Sequence, residues 1–169
     1  MSFSLSAGTL TGTTTSFGSG AIANSAALVF DQTSDVSYAG LITGTGSLTK
    51  LGGGNLTLSG TNTYGGAITV GAGGTRINSD SGTLTLTGNI TLGSETLTVG
   101  GVGNTTQSAI ISGTGGLAKN GNGRLSLNGA NIYTGTTLVN AGSLLVNGTH
   151  TGGGAYTVAA GATLGGTGS

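Results

Sequence analysis

Apolar and hydroxyl-bearing residues alternate along most of this 169-residue chain, in segments of only three or four residues. In a typical segment two aliphatic residues flank one Thr or Ser, as in the stretches 56–58 (LTL) and 125–127 (LSL). This period of two places the aliphatic side chains on one face of a β-strand and the hydroxyls on the other. Gly, Asn and Ser separate the segments, and helix-favouring stretches are nearly absent. The pattern therefore predicts an all-β protein made of many short strands.

One stretch of the chain is written twice. The segment Gly44–Gly73 and the segment Gly113–Gly142 are identical at 16 of 30 positions without a gap. A fixed repeat favours a stacked solenoid over a sandwich of antiparallel strands, the alternative that short strands leave open. The 69-residue period divides into three coils of roughly 23 residues, which predicts a parallel β-helix of about seven coils. We expect one β-helix domain over residues 1–169, with spacer coils at 74–108.

The aliphatic members of the strands are the expected core, because each can stack on its counterpart in the next coil. In the two repeats these are Leu56, Leu58, Leu125 and Leu127. The other core candidates are Ile68, Val70, Leu84, Leu86, Leu97, Val99, Val139, Leu144 and Val146.

Polar and aromatic residues are duplicated together with the strands, which is typical of structural rather than catalytic positions. We interpret Asn62 and Asn131 as turn residues whose amides bond backbone groups. We interpret Tyr64 and Tyr133 as corner aromatics that pack over a neighbouring coil. The lysines at positions 50 and 119 form a third equivalent pair.

Composition excludes several classes of function. Charged residues are 5% of the chain and the net charge is zero, so there is no electrostatic footprint for nucleic acid or an anionic membrane. Without Cys there can be no disulfide or thiolate metal site. No apolar run approaches the roughly 20 residues of a membrane-spanning helix. The first residues, MSFSLSAGTLTG, do not have the pattern of a signal peptide, and no translocator segment is recognised.

The few ionisable side chains are the candidates for chemistry. Some β-helix enzymes cleave polysaccharides with clustered carboxylates, and the acidic residues here are Asp31, Asp35, Asp80 and Glu95. They are not accompanied in the sequence by a cluster of basic or aromatic residues, so we interpret them as solvated turn residues. His150 lies in the Gly-rich stretch NGTHTGGG without a nucleophile motif, and we expect it to be solvated as well. We predict a non-catalytic protein without metal or cofactor; a polysaccharide-acting enzyme is the alternative.

Thr-x-Thr pairs suggest a further alternative. They occur at 83–85 and 96–98, for example, and a flat ladder of threonines on one β-helix face would resemble an ice-binding surface. Thr is also the most suitable polar residue for the outer face of any strand. The pairs do not recur at a regular coil period, so the outer-face interpretation is favoured.

The pattern GTGxLxKxGxGxLxLxGxNxYxG…VxAG, present in both copies, resembles the autotransporter-associated β-strand repeat of bacterial surface proteins. The intervening stretch TRINSDSGTLTLTGNITLGSETLTVGG is similar to the passages that separate such repeats, so the resemblance covers roughly residues 21–148. It implies a right-handed parallel β-helix at the cell surface or outside the cell. It also implies a structural or adhesive role, as a stalk or a fibre subunit.

A β-helix has two open ends whose strands carry unpaired backbone groups. Such edges pair readily unless charge, Pro or a cap protects them, and neither terminal sequence carries a charged side chain. We therefore expect a homo-oligomer formed by end-to-end stacking, or flanking β-helix coils of a longer protein that cover the ends. The expected external partner is a surface carbohydrate or another cell-surface target, with no nucleic acid and no membrane insertion by this segment.

Overall fold

The computed structural model describes residues 2–54, 56–59, 62–71, 73, 75–79 and 82–169. Almost all regular structure in these residues is β. The elements are β1 (Phe3–Leu5), β2 (Thr9–Gly12), α1 (Thr14–Phe17), β3 (Ile22–Asn24), β4 (Ala27–Asp31), β5 (Val36–Tyr38), β6 (Ile42–Gly44), β7 (Ser47–Leu51), β8 (Leu56–Leu58), β9 (Thr63–Tyr64), β10 (Ile68–Val70), β11 (Thr75–Asn78), β12 (Thr83–Leu86), β13 (Ile90–Leu92), β14 (Leu97–Gly100), β15 (Asn104–Gln107), β16 (Ile111–Gly113), β17 (Leu117–Lys119), β18 (Arg124–Leu127), β19 (Thr137–Val139), β20 (Ser143–Val146), β21 (Tyr156–Val158) and β22 (Thr163–Gly165).

The strands form three sheets, which we call faces A, B and C. Face A has nine strands in the order β1-β3-β6-β9-β12-β15-β18-β20-β22. Face B has six, in the order β16-β13-β10-β7-β4-β2, and face C has seven, in the order β21-β19-β17-β14-β11-β8-β5. Neighbouring strands in each face are parallel and come from successive coils, so the predicted parallel β-helix is confirmed.

The coils are shorter than the repeat length indicated. Leu28 pairs with Leu48 in the next coil, and Leu125 pairs with Leu144, so one coil advances the chain by about 20 residues. The coil that runs from Ile68 to its partner Ile90 is slightly longer. The structure thus has about eight of these turns, where the sequence predicted about seven longer ones.

The shorter coil changes the meaning of the 69-residue repeat. Leu48 lies in β7 on face B, whereas its repeat counterpart Leu117 lies in β17 on face C. One repeat unit therefore covers three coils and one further face. The repeat length alone does not show this offset. A period of 69 residues can be divided into nine longer strand-and-turn segments, which is three whole coils, or into ten shorter ones, which is three coils and one further face.

Stacks of aliphatic side chains fill the inside of the helix. Leu56, Leu58, Leu125 and Leu127 are all buried. Thr57, between the first two, is half-buried on the outer side, whereas Ser126, between the second two, is itself buried although the alternation places it on the outer side. The remaining predicted core residues are also buried, except Val146, which is half-buried in the coil next to β22. Alternation within each strand thus divides the inside from the outside, as the pattern predicted.

A single helical turn, α1, interrupts the strands near one end. It contacts β5, the first strand of face C. Its Phe17 packs edge-on against Phe30 at 4.9 Å between ring centroids, and Phe30 in turn meets Tyr38 at 5.6 Å. This aromatic group closes the core beside the edge of face C, a feature that the sequence pattern did not predict.

Candidate functional site

Lys50 points into the core, although it is charged. In the pairing of face B it lies between Phe30 and Val70, and its side chain is 1% exposed. Its Nζ donates to the carbonyl oxygens of Leu51 at 2.5 Å and Gly52 at 2.7 Å, in the turn that follows β7. Burial lowers the pKa of the Lys50 ammonium. The nearby carboxylates of Asp31 and Asp35, described below, oppose that effect.

Lys119 repeats this arrangement on face C. It lies between Val99 and Val139, and its Nζ donates to the carbonyl oxygens of the next two residues, 120 and 121, at 2.9 and 2.7 Å. A third bond, 3.2 Å long, reaches the carbonyl of Ala141 in the following coil. Burial lowers the pKa of the Lys119 ammonium. Each lysine therefore acts as an internal brace at a corner of the helix and is not presented to a ligand.

The two repeated asparagines also lie inside. The Oδ1 of Asn62 accepts a hydrogen bond from the backbone N–H of Ile42 at 2.7 Å, and that of Asn131 accepts from Ile111 at 3.0 Å. The Nδ2 of Asn131 also donates to the carbonyl of Gly129 at 3.0 Å. In both copies the amide oxygen bonds a residue of the preceding coil. The asparagines therefore tie one coil to another rather than close an exposed turn.

The repeated tyrosines lie within the core rather than over its outside. The hydroxyl of Tyr64 donates to the carbonyl of Gly46, and it accepts from the Nδ2 of Asn24 at 3.3 Å. The hydroxyl of Tyr133 pairs with Oγ1 of Thr137 at 2.6 Å. Burial raises the pKa of both tyrosines well above the ordinary value.

His150 is half-buried and held between two tyrosines, so the expectation of simple solvation was wrong. Its ring stacks on that of Tyr133 at 4.2 Å between centroids. Its Nδ1 lies 2.6 Å from the hydroxyl oxygen of Tyr156, and its Nε2 lies 2.9 Å from the backbone carbonyl oxygen of Tyr133. Because a carbonyl only accepts, Nε2 carries a proton, and both ring nitrogens serve structural contacts.

The acidic residues that the structure describes do not lie at one place. Asp31 ends β4 and Asp35 immediately precedes β5; both are exposed and act on the ammonium of Lys50. Glu95 lies in the turn before β14, where Oγ of Ser94 donates to it at 3.3 Å. Asp80 lies outside the described residues. Within the described part of the chain, no group of three or more His, Asp or Glu could hold a metal ion.

Hydroxyl groups line the outer faces in single rows. On face A the row is Thr43, Thr63, Thr85 and Thr106, and the next position in register, Ser126, is buried. On face B it is Thr49, Thr69, Thr91 and Ser112. On face C the hydroxyls of Ser37, Thr57 and Thr98 form the row, which Arg76 interrupts. An ice-binding surface would require paired threonines in one flat ladder, whereas here single rows are distributed over three faces.

The geometry defines a solenoid scaffold whose repeated residues are mainly internal. Comparison with known proteins also finds a repeat protein. Residues 48–77 and 117–146 match the family model of the passenger-associated-transport-repeat, which supports the resemblance to autotransporter passenger repeats. The chain is also 37% identical over 160 residues to the adhesin BmaC autotransporter of Brucella suis biovar 1 (strain 1330). That match covers 75% of this chain and 4% of the adhesin.

No solved structure matches the chain significantly. Among the described residues, none of the helices has the length and apolar character needed to cross a membrane.

Proposed function

We propose that this chain is a structural and adhesive segment of a bacterial surface protein, and that it acts outside the cell. One observation carries the proposal: the side chains that the two passenger repeats share are internal. Lys50 and Lys119, for example, are both buried, and so are the paired asparagines and tyrosines. The repeat therefore encodes a scaffold, and the outer residues are free to differ between copies. The similarity to an adhesin supports the same role.

The scaffold suits a rigid spacer. Face A runs through nine parallel strands, which at about 4.8 Å per step gives a rod roughly 40 Å long. Backbone bonds join every coil to the next, and the amide of Asn131 and the ammonium of Lys119 add links between coils. Stiffness along the axis follows because bending would break these bonds in several coils at once.

Small-angle scattering and cell attachment test the two halves of this proposal separately. The purified chain should scatter as a rod of uniform cross-section, and beads coated with the folded chain should attach to epithelial cells better than beads coated with the heat-unfolded chain. Scattering from a compact sphere would contradict the structural half. Equal attachment of both bead types would contradict the adhesive half.

We further propose that the segment has no catalytic activity. Asp31 and Asp35 act electrostatically on the buried ammonium of Lys50, which accounts for their position without a reaction. Turnover of common polysaccharides is the measurement to make. Activity that disappears in the double variant Asp31→Asn and Asp35→Asn, but persists in Glu95→Gln, would assign catalysis to this pair and contradict the proposal.

The edge beyond β21 and β22 is the proposed site of association with a second copy of this chain. These two strands are the last of faces C and A, and Val158 and Leu164 are 42% and 40% exposed there. Unpaired parallel edges with apolar neighbours favour addition of a further strand, and head-to-tail contacts propagate as filaments. Sedimentation velocity should show concentration-dependent growth that Leu164→Asp abolishes and Thr69→Asp, on the outer surface of face B, does not. A strict monomer at high concentration would instead favour flanking coils as the natural cover.

A further inference from the structure

A groove of about 450 Å³ lies on the outside of face C. It is lined by Asp35, Val36, Ser37, Thr57, Arg76 and Thr98. The strand register places residues 37, 57, 76 and 98 opposite one another in β5, β8, β11 and β14. The groove therefore presents hydroxyls and one guanidinium in a row along the helix axis. Three steps between strands give this row a length of about 14 Å.

Arg76 is the basic side chain among the residues that line the groove. The sequence has four Lys and Arg residues, and the two lysines are buried in the core. Arg76 and Arg124 are thus the basic side chains at the surface, and Arg124 lies exposed on face A.

Neighbouring residues hold the Arg76 guanidinium against the sheet. Its Nε donates to Oδ1 of Asn78 at 3.0 Å. Its Nη2 lies over Gly100, where a Cβ atom would be only 3.1 Å away, so the missing side chain makes room for it. Arg76 is half-buried as a result, which is the setting in which a guanidinium binds an anion with defined geometry.

We propose that this groove binds an acidic sugar, with the carboxylate on Arg76 and the sugar hydroxyls on Ser37, Thr57 and Thr98. A guanidinium offers paired N–H donors that match a carboxylate. A single cation among uncharged hydroxyls is suited to one carboxylate within a hydroxyl-rich ligand, not to a polyphosphate or a nucleic acid, which need several cations. The inference names a ligand class for the adhesive role proposed above and rests on it.

The groove also has a direction. Asp35 lies beside β5, two strands from Arg76, which corresponds to about 10 Å. Its carboxylate repels a second negative charge at that end, so the acidic group of the ligand is directed toward Arg76 and Thr98. No aromatic ring is among the residues that line the groove in the described part of the chain. A neutral sugar therefore gains no stacking energy, and discrimination depends on the carboxylate.

Binding of an aldotriouronic acid, a trisaccharide of one uronic acid and two neutral sugars, is measured by isothermal titration calorimetry or NMR and compared with binding of its uncharged methyl ester. The acid should bind the folded chain, and the uncharged ester should bind at least about tenfold more weakly. Arg76→Gln should weaken binding of the acid by a similar factor, because it removes the charge and keeps a polar side chain. Arg124→Gln is the matched control and should bind like the unchanged chain. Thr98→Val should weaken binding severalfold without a change in preference for the acid.

Circular dichroism and thermal melting confirm that each variant is folded before binding is compared. Equal binding of acid and ester, equal losses in the two arginine variants, or no binding of the acid at roughly millimolar concentration would each overturn the inference. Cell attachment is measured in parallel: a chain that attaches to cells without binding the acid retains the proposed function and loses this ligand. A chain that binds the acid but fails to attach retains the ligand and loses the adhesive role.

Discussion

Lys119 is the counterpart of Lys50 in the second repeat, yet its ammonium is held at a corner after a strand of face C, whereas that of Lys50 follows a strand of face B. The local contacts are the same: each Nζ donates to the carbonyls of the next two residues. The repeat therefore preserves the turn and the lysine that is bonded to its carbonyls. The second copy of this turn lies one face further around the helix axis than the first.

The division between inside and outside can be measured at adjacent positions. Leu56 is fully buried, so Leu56→Ala should lower the free energy of unfolding by about 2–5 kcal/mol, because it leaves a cavity in a packed stack. Thr57 points outward, and Thr57→Ala should change it by less than about 0.5 kcal/mol. Chemical denaturation of both variants makes the comparison. Equal losses would show that the inward and outward assignments are wrong.

The braced lysine predicts a pH-dependent stability. Burial lowers the pKa of Lys119 below its ordinary 10.5, so between the lowered value and 10.5 the unfolded chain binds more protons than the folded one. Stability due to this group therefore rises with pH across that window. In urea titrations from neutral pH upward, the unchanged chain should gain free energy of unfolding relative to Lys119→Met.

Lys50→Met should show a smaller gain than Lys119→Met, since Asp31 and Asp35 favour the charged form of Lys50. A difference between the unchanged chain and Lys119→Met that stays constant with pH would contradict the assignment of a buried, destabilised ammonium.

Tyr64 predicts that the free energy of unfolding falls with rising pH in a more alkaline range, which is opposite to the effect of Lys119. Burial raises its pKa above the ordinary value of 10.0, so above about pH 10 the unfolded chain releases a proton that the folded chain retains. Stability should therefore fall with rising pH in that range. Tyr64→Phe should cost about 1 kcal/mol near neutral pH, through the lost hydroxyl bonds, and should lose less stability above pH 10. The curve for Thr57→Ala should run parallel to that of the unchanged chain; the same alkaline slope in Tyr64→Phe would exclude Tyr64 as its source.

Gly113 marks a corner where two backbones meet. Its φ is +110°, and a Cβ there would lie 1.6 Å from the carbonyl oxygen of Leu92 in the preceding coil. Gly113→Ala should therefore lower the free energy of unfolding by more than about 2 kcal/mol. At Gly53 an added methyl group would meet nothing within 4 Å, and the φ is not positive, so Gly53→Ala is the control and should be nearly neutral. Thermal melting that ranks the two variants equally would contradict the close approach.

The fold could be predicted from the sequence because two separate patterns are visible in it: the alternation of period two within strands and the 69-residue duplication. Alternation in segments such as 84–86 indicates strands, and the duplication indicates stacking. The coil length could not be obtained in the same way. The repeat returns Leu48 to an equivalent corner at Leu117, but on a different face, so its length is not a whole number of coils.

The internal site was only partly predictable. Leu48-Thr49-Lys50 and Leu117-Ala118-Lys119 place each lysine in phase with a buried leucine. That phase could have indicated an inward side chain, which was not among our predictions. A buried ammonium is costly unless carbonyl oxygens surround it, and those oxygens come from turns that no side-chain pattern reveals. The groove at Arg76 depends likewise on the register of β8, β11 and β14, which becomes visible only when the coils are stacked.

The displacement between the two repeats gives a long protein of this kind a surface like a screw thread. If further units follow the same rule, each turns its outer residues by a third of the circumference, and the fourth unit looks in the same direction as the first. In such a rod, equivalent outer residues are distributed evenly around the axis. A partner that approaches from any side meets an equivalent stretch within three units, so the number of units, more than the orientation of the rod on the cell, decides what is within reach.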